Sequence, residues 1–511
     1  MAAYSNFRNI RKNMIVTFIS LFFLSVNLLA QRNGDVLSFQ GLDEPNDISP
    51  KALALGGAFT AASGELGNIF YNPAGLAKIS RLQISVSAAY SSRLWRDNQI
   101  WLSGGSYKML PQYMENLYTP PVEFNGIWSD SLGNPFGLTW DPSQVQNPVI
   151  GVDPYSKEAA DAENSINKFA FSQIAVAFPF QISELKFTAA AALNLNYNPV
   201  DYDWNGDHLD PHWGTSFDFS QLAPADSIVR ANWDIYTRER SNGIKNLKGA
   251  LAFELNKNIQ IGVGFTSMFG STDDNITLNR IGYFQFIQTG DVWSFSYENR
   301  KAVRSGTSTF SSLMFNVGGL IAFRNLDIGF NLDMPYTVTR DWDYTDVVAN
   351  NAGTLSTNAS GTDKMKVPLC FNIGLKFMPL KNFSIYADLA SKPFSKNEFE
   401  STSAIDSTNT PVWTNQYTFA GGFEYRFNEE LTLMAGYRNR TSTFVGYGNA
   451  VRNQGAPVDS YTFGASYVLP VGQVTIAYEY RKLKYYDVYF TSRNYTLVST
   501  DNIILGYTFS F

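Results

Sequence analysis

The sequence predicts an all-β fold, a transmembrane antiparallel β-barrel of about 14 strands. Three observations lead to this prediction. Large apolar residues alternate with small or polar ones in many segments, as they do on strands with lipid outside and an aqueous lumen inside. Only 16% of the residues are charged and 15% are aromatic, whereas soluble domains contain about 25% charged residues. After residue 30 there is no apolar run of about 18 residues, which disfavours membrane-spanning helices.

Residues 1–30 are predicted to be a secretory signal peptide. Three cations precede an apolar stretch at 14–26, and Ala30 provides a small residue for cleavage before Gln31. An apolar stretch this short is typical of export rather than of a membrane anchor. Its removal leaves 36 Lys and Arg against 45 Asp and Glu. Because phosphate binding needs a basic face, this acidic balance argues against nucleic acid as a partner.

The C-terminal strand shows the alternation most clearly. Ile503, Leu505, Tyr507, Phe509 and Phe511 fall on one face, and small or polar residues occupy most of the other. This pattern predicts a lipid-facing outer row and a lumen-facing inner row. The aromatic C-terminal residue resembles the ending that the outer-membrane barrel assembly machinery recognises, so we expect that machinery to be a partner.

The same alternation recurs along the whole mature chain. A soluble β-sandwich or propeller is the alternative, but it would need polar outer rows, and these rows consist of Leu, Ile, Phe and Tyr. The predicted strands, with the C-terminal one last, are 82–92, 168–180, 185–197, 246–256, 259–270, 309–323, 326–338, 366–378, 382–392, 415–427, 430–442, 458–469, 472–485 and 502–511.

The connections between these strands support the count. Bacterial barrels have short periplasmic turns and long outer loops, so short and long connections should alternate. Short turns are predicted near Ser183, Asn258, Asn325, Lys381, Asn428 and Gly472. Long connections alternate with them at 93–167, 198–245, 271–308, 339–365, 393–414, 443–457 and 486–500. An even number of strands returns the C-terminus to the periplasmic side.

The segment 54–77, just before the first strand, is rich in Gly and Ala and contains the turn sequence Asn-Pro-Ala-Gly. In these features it resembles the N-terminal plug of the FadL/TodX family. The resemblance implies a plug (residues 31–80) inside the lumen of a barrel formed by residues 81–511. It also implies that a small set of residues shapes and gates the plug: Gly56, Gly57, Asn72, Pro73, Ala74 and Gly75.

Members of that family are outer-membrane channels of Gram-negative bacteria. The resemblance therefore implies passive uptake of long-chain fatty acids, hydrocarbons or other hydrophobic compounds. It further implies sideways release into membrane lipid when the plug shifts. A second possibility is a barrel of the same fold that does not transport and serves as a surface scaffold or secretion-system partner.

An enzymatic function is disfavoured by the scarcity of catalytic residues. The only histidines, His208 and His212, lie in one predicted outer loop, and no nucleophile stands at a spacing that suggests a triad. We therefore expect the protein not to be an enzyme and to need no cofactor.

The same predicted loop contains a weak calcium motif. Asp201, Asp203, Asn205 and Asp207 place oxygen ligands at alternate positions, as in the first half of an EF-hand loop. The glutamate of position 12 is replaced by His212. A Ca²⁺ ion that stabilises the loop is one interpretation, and a solvated acidic loop is the simpler one.

Charges of both signs are predicted to face the lumen. Most are expected to form structural ion pairs, because a narrow interior penalises an unpaired charge. Arg438 and Arg481 are candidates for binding the acidic head group of a ligand. The other predicted lumen charges are Lys248, Glu254, Asp327, Asp333, Lys376, Asp388, Glu424, Arg426 and Glu479.

Overall fold

The computed structural model describes most of the predicted barrel and part of the plug. Residues 1–30, the predicted signal peptide, lie outside the described residues. The described ranges are 39, 41–43, 49–101, 152–160, 162–197, 202–212, 227–289, 292–297, 300–350, 352–400, 413–443, 455–488 and 492–511. The strands are β1 (Gln83–Trp101), β2 (Ala162–Ile182), β3 (Leu185–Tyr197), β4 (Tyr202–His212), β5 (Ser227–Asn256), β6 (Ile259–Thr289), β7 (Val292–Tyr297), β8 (Arg300–Ala322), β9 (Leu326–Asp333), β10 (Tyr336–Asn350), β11 (Gly353–Val367), β12 (Cys370–Leu380), β13 (Phe383–Lys392), β14 (Glu398–Glu400), β15 (Gln416–Arg426), β16 (Leu431–Thr441), β17 (Pro457–Leu469), β18 (Gly472–Val488) and β19 (Ser492–Ser510).

Fourteen of these strands form a closed antiparallel barrel. The ring runs β1, β2, β3, β5, β6, β8, β9, β12, β13, β15, β16, β17, β18 and β19. It closes where β1 pairs with β19, from Gln83 opposite Ser510 to Trp101 opposite Ser492. All 14 predicted strands lie on this ring, so the prediction of the fold class is confirmed.

The outer face of the barrel carries the apolar rows that the sequence predicts. In and just before β12, the residues Leu369, Phe371, Ile373, Leu375 and Phe377 are between 39% and 48% exposed. Large apolar side chains this exposed are expected on a surface that contacts lipid.

The six predicted short turns join β2 to β3, β5 to β6, β8 to β9, β12 to β13, β15 to β16 and β17 to β18.

Beyond the ring, several predicted loops are in fact extensions of the sheet. The segment 339–365 forms a hairpin in which β10 and β11 pair from Tyr336–Val367 to Asn350–Gly353. Strands β5 and β6 continue far past the predicted ends, and β4, β7 and β14 pair with β5, β6 and β11. The apolar alternation ends where the outer surface stops facing lipid, whereas the backbone ladder continues. The predicted boundaries are therefore too short at this end.

The described part of the plug contains three short helices. Helix α1 (Pro50–Ala54) begins with a proline, whose fixed φ suits the first helical position. Two 3₁₀ helices follow at Leu66–Phe70 and Pro73–Lys78, and the Asn72 side chain caps the second by accepting a hydrogen bond from the N–H of Ala74 at 3.1 Å. None of the described helices is long and apolar enough to cross a membrane. The plug buries its apolar side chains against the inner face of the strands.

Candidate functional site: the plug and the chamber beside it

Eight lumen-facing glycines, one on each of eight strands, contact the plug. We call this set the glycine belt. A Cβ atom built on Gly262 would lie 2.5 Å from the Ala74 nitrogen, and one on Gly422 would lie 2.6 Å from the Leu55 oxygen. The plug backbone is thus seated directly on the barrel wall, at a distance that leaves no room for a side chain. The belt consists of Gly262, Gly318, Gly329, Gly374, Gly422, Gly436, Gly464 and Gly506.

Adding one methyl group to this belt should displace the plug. We expect Gly422→Ala to increase the permeability of the barrel to hydrophilic solutes, because the new Cβ atom would overlap the backbone of Leu55. Gly421→Ala is the matched control, since its Cβ atom would meet nothing closer than 3.9 Å. Single-channel conductance in planar bilayers measures the effect. Equal conductance of the two variants would show that the plug does not depend on this close contact.

Polar contacts also hold the plug in place. Asp388 on β13 accepts hydrogen bonds through Oδ2 from the backbone N–H groups of Phe59 at 2.9 Å and Thr60 at 2.8 Å. Asn72 donates from Nδ2 to the carbonyl oxygens of Thr60 at 2.7 Å and Gly319 at 3.0 Å. Both side chains are buried. One carboxylate and one amide therefore fix the turn of the plug that contains Phe59 and Thr60.

Ion pairs fill the lumen beside α1 and the last turn of the plug. Lys51 contacts Glu65 at 2.7 Å and Glu424 at 3.3 Å, and Lys78 contacts Glu254 at 2.7 Å. Burial alone would lower the pKa of Lys51, but the two carboxylates outweigh it and raise this pKa above its ordinary value. The predicted pairing of lumen charges thus includes pairs between the barrel and the plug.

A cavity of about 290 Å³, which we call the chamber, lies between the plug and the inner face of the barrel. Ligand pockets typically enclose roughly 300–1,000 Å³. Much of its wall is apolar, and Phe394 and Trp413 meet there edge to face at 5.3 Å between ring centroids. The plug supplies its floor with Gly57, Thr60, Phe70 and Tyr71, and Leu42 also lines it. The apolar wall is formed mainly by Met268, Met314, Tyr336, Val338, Met365, Val367, Cys370, Phe394 and Trp413.

Four cations and two carboxylates also line the chamber: Lys248, Lys392, Arg438, Arg440, Asp333 and Asp388. The two lysines differ from the arginines. Lys248 lies over the ring of Phe70 at 5.3 Å and Lys392 over the ring of Phe394 at 5.7 Å, and neither forms an ion pair with a described carboxylate. Arg438 instead donates to Glu479 at 2.5 Å. The chamber therefore combines an apolar wall with two lysines whose ammonium groups can bind an anionic group.

Of the predicted plug residues, Gly56, Asn72, Pro73 and Ala74 contact the barrel wall, whereas Gly57 lines the chamber and Gly75 packs within the plug. Gly56 and Gly57 have φ values of +70° and +86°, which glycine adopts without strain. Asn72, Pro73 and Ala74 face the glycine belt. Gly75 is not among the positive-φ glycines, but a Cβ atom there would lie 2.5 Å from the Ala62 oxygen.

The other predicted site residues are more dispersed. Arg438 lines the chamber, whereas Arg481 does not and lies 4.0 Å from Glu479. Asp201 lies outside the described residues. Asp203, Asn205 and Asp207, like His208 and His212, lie on β4, whose backbone alone is described. Within the described ranges, no group of three or more potential metal ligands occurs. The calcium site remains a prediction.

Sequence reasoning missed the glycine belt, Lys392 and the aromatic pair of Phe394 and Trp413. The belt leaves a signal in the sequence, because each of eight strands has a glycine in its lumen-facing row. Phe394 and Trp413 fall within a connection that was predicted as an outer loop. Their packing into the chamber depends on the tertiary fold, and no local pattern indicates it.

A closed 14-strand barrel with an apolar outer face, an internal plug and a chamber beside the plug defines a plugged membrane channel. A profile of the family described as "Outer membrane protein transport protein (OMPP1/FadL/TodX)" matches residues 237–503, more than half of the chain. The chain belongs to this family. It is therefore an outer-membrane barrel of a family of transport proteins rather than of enzymes, as the sequence predicts.

Solved structures show the same fold. A FadL homologue from Pseudomonas aeruginosa matches with a TM-score of 0.54 at 12% identity, over 89% of this chain and 96% of its own. The toluene transporter TodX from P. putida matches with a TM-score of 0.52 at 11% identity, over 90% of this chain and 97% of its own. No curated protein matches by sequence. At these identities the likeness concerns the fold alone.

Proposed function

We propose that the barrel takes up hydrophobic molecules, long-chain fatty acids in particular, by passive passage through the chamber. The ligand enters from the outside, binds in the chamber and leaves sideways into the membrane, and the plug controls this release. The observation that carries the proposal is a chamber with an apolar wall, bordered by two lysines that form no ion pair with any carboxylate in the described part of the chain.

The contents of the lumen below the chamber support sideways release. The plug contacts the wall through the glycine belt, and ion pairs such as Lys78–Glu254 fill the space between the plug and the barrel. A hydrophobic solute that moved straight through would have to displace these pairs and leave charges unpaired, which is costly. A sideways path into lipid keeps the solute in apolar surroundings throughout.

The two lysines suggest how a fatty acid is oriented in the chamber. An ammonium group is a good partner for a carboxylate, and such charge-assisted hydrogen bonds are stronger than neutral ones. We assign the head group to Lys248 and Lys392 and the hydrocarbon chain to the apolar wall. Arg438 also lines the chamber and remains a candidate, although Glu479 already binds its guanidinium. Nothing in the described contacts directs Arg481 toward the chamber.

Uptake by cells tests the proposal directly. A strain that lacks the gene should take up radiolabelled oleate more slowly than the same strain carrying the gene on a plasmid. The reason is that the apolar chamber offers oleate a path across an outer membrane that otherwise retards it. Mass spectrometry of molecules that co-purify with the barrel should identify the natural ligand.

Unchanged uptake would contradict transport and favour the alternative function, a surface scaffold or secretion-system partner. In that case the co-purifying material should be protein rather than a hydrophobic small molecule. The deletion strain is the reference for both measurements.

A further inference from the structure

Methionine is concentrated in the wall of the chamber. The structure describes six methionines, and three of them line this cavity: Met268, Met314 and Met365. These three come from different strands, β6, β8 and β11. The other three described methionines lie elsewhere in the barrel: Met334, Met378 and Met434. Half of the described methionines therefore meet at the place where the hydrocarbon chain of a ligand would lie.

The register of the sheet spreads these methionines along an arc of the wall. Met268 pairs with Ser312 on β8, and Ser312 pairs with Val338 on β10. Val338 in turn pairs with Met365 on β11. Met314 follows Ser312 by two residues on the same face of β8, one level closer to the plug. Three strand spacings, roughly 14 Å in all, separate Met268 from Met365, so the three side chains border the ligand space from several directions.

The rest of the apolar wall is stiffer than these three side chains. Val338 and Val367 are β-branched, which restricts their χ1 rotamers. Trp413 packs edge to face against Phe394 and Phe399, with 5.3 and 6.0 Å between ring centroids. A methionine side chain is unbranched, has three rotatable bonds and carries a polarizable sulfur, so it fills irregular gaps. The wall thus combines a fixed part with three adjustable side chains.

The size of the chamber makes an adjustable wall necessary for long ligands. Its volume of about 290 Å³ lies at the lower end of the range for ligand pockets, roughly 300–1,000 Å³. Protein interiors are close-packed, so a longer or bent chain fits only if side chains of the wall move aside. Methionine can do this by changing rotamer. Binding proteins that accept many partners often use methionine-rich surfaces that repack in the same way.

We propose that Met268, Met314 and Met365 determine the range of chain lengths and shapes that the chamber accepts. This inference rests on the proposed function and adds the residues that set its specificity. The lysines bind the carboxylate of every ligand, whereas each methionine adopts the rotamer that packs against the particular hydrocarbon chain. Straight and bent acids, from laurate to oleate, therefore meet a close-packed wall in the same chamber.

Replacing the three methionines together by leucine tests this role. Leucine has a similar volume, so the fold should be retained, but it is branched and adopts fewer shapes. Calorimetry on the purified barrel in detergent should show oleate binding weakened about tenfold, because a wall that cannot withdraw is overpacked by the bent chain. Binding of the shorter laurate should change by less than about twofold. The matched control makes the same change at the three methionines outside the chamber and should bind both acids as the wild type does: Met334→Leu, Met378→Leu and Met434→Leu.

A second measurement uses the wild-type protein with carbon-13 in its methionine methyl groups. Laurate and oleate should move the methyl resonances of the three chamber methionines to different positions and leave those of the three control methionines unchanged. Equal effects of the triple leucine variant on the two acids, including no effect, would overturn the role in specificity and leave the proposed function intact. Identical resonance changes with both acids would do the same. If the wild-type barrel binds neither acid, the inference and the proposed function both fail.

Discussion

Replacing Asp388 by alanine should convert the closed barrel into a leaky one. The carboxylate is the acceptor for two plug N–H groups, those of Phe59 and Thr60. Hydrogen bonds to a charged group contribute about 1.5–3 kcal/mol each, so the turn loses its main polar attachment to β13. We expect higher conductance in planar bilayers and greater sensitivity of cells to large hydrophilic antibiotics.

Asp388→Asn is the matched control for this change. The amide keeps one oxygen that can accept from the same N–H groups, and its nitrogen replaces Oδ1, which has no hydrogen-bond partner in the described structure. Conductance of the asparagine variant should stay close to that of the wild type. If the alanine variant is equally closed, then Asp388 does not hold the plug, and the glycine belt alone must suffice.

Replacing Lys248 and Lys392 together by methionine should abolish high-affinity binding of fatty acids. Methionine keeps an apolar side chain of similar length but removes both cations. The loss of two charge-assisted hydrogen bonds, at about 1.5–3 kcal/mol each, corresponds to an affinity roughly 10² to 10⁴ times weaker. Binding of oleate to the purified barrel, measured by calorimetry in detergent, tests this prediction.

Two comparisons separate head-group recognition from general damage. Oleyl alcohol has the same hydrocarbon chain without the charge, so its binding should change little in the lysine double variant. Lys245→Met with Lys364→Met removes the same number of charges from exposed positions on β5 and β11 and should leave oleate binding unchanged. Equal loss of oleate and oleyl alcohol would mean that the lysines only shape the chamber.

The fold could be predicted from the sequence because each lipid-facing strand shows the alternation of apolar and polar residues within its own few residues. On β12, for example, apolar residues from Phe371 to Phe377 alternate with small or polar ones, and lipid on one side enforces that pattern. No such force acts on β10 and β11, where residues such as Thr345 and Asn358 pair across the hairpin. The exposed face of this hairpin carries polar residues such as Asp341, Lys364 and Lys366, so the apolar outer row is missing there and only the backbone ladder continues.

The site was less predictable, since its contacts join distant parts of the chain. Lys51 contacts Glu424 and Thr60 contacts Asp388, pairs that are more than 300 residues apart. Arg438 was expected to be a candidate for a ligand carboxylate, but the buried Glu479 already pairs with it. Glu479 lies on β18, two strands away from Arg438. Only the assembled barrel shows which lumen charges form ion pairs with each other and which are available to a ligand.

The closure of the ring between β1 and β19 determines the order of events in biogenesis. These are the first and last strands of the barrel, so the last strand must be made before the circle is complete. The plug precedes β1 in the chain, yet it contacts Gly436, Gly464 and Gly506 on late strands. Because the plug contacts both early and late strands of the ring, we expect its insertion to be coupled to ring closure, so a chain that lacks the plug should assemble poorly rather than form an open pore.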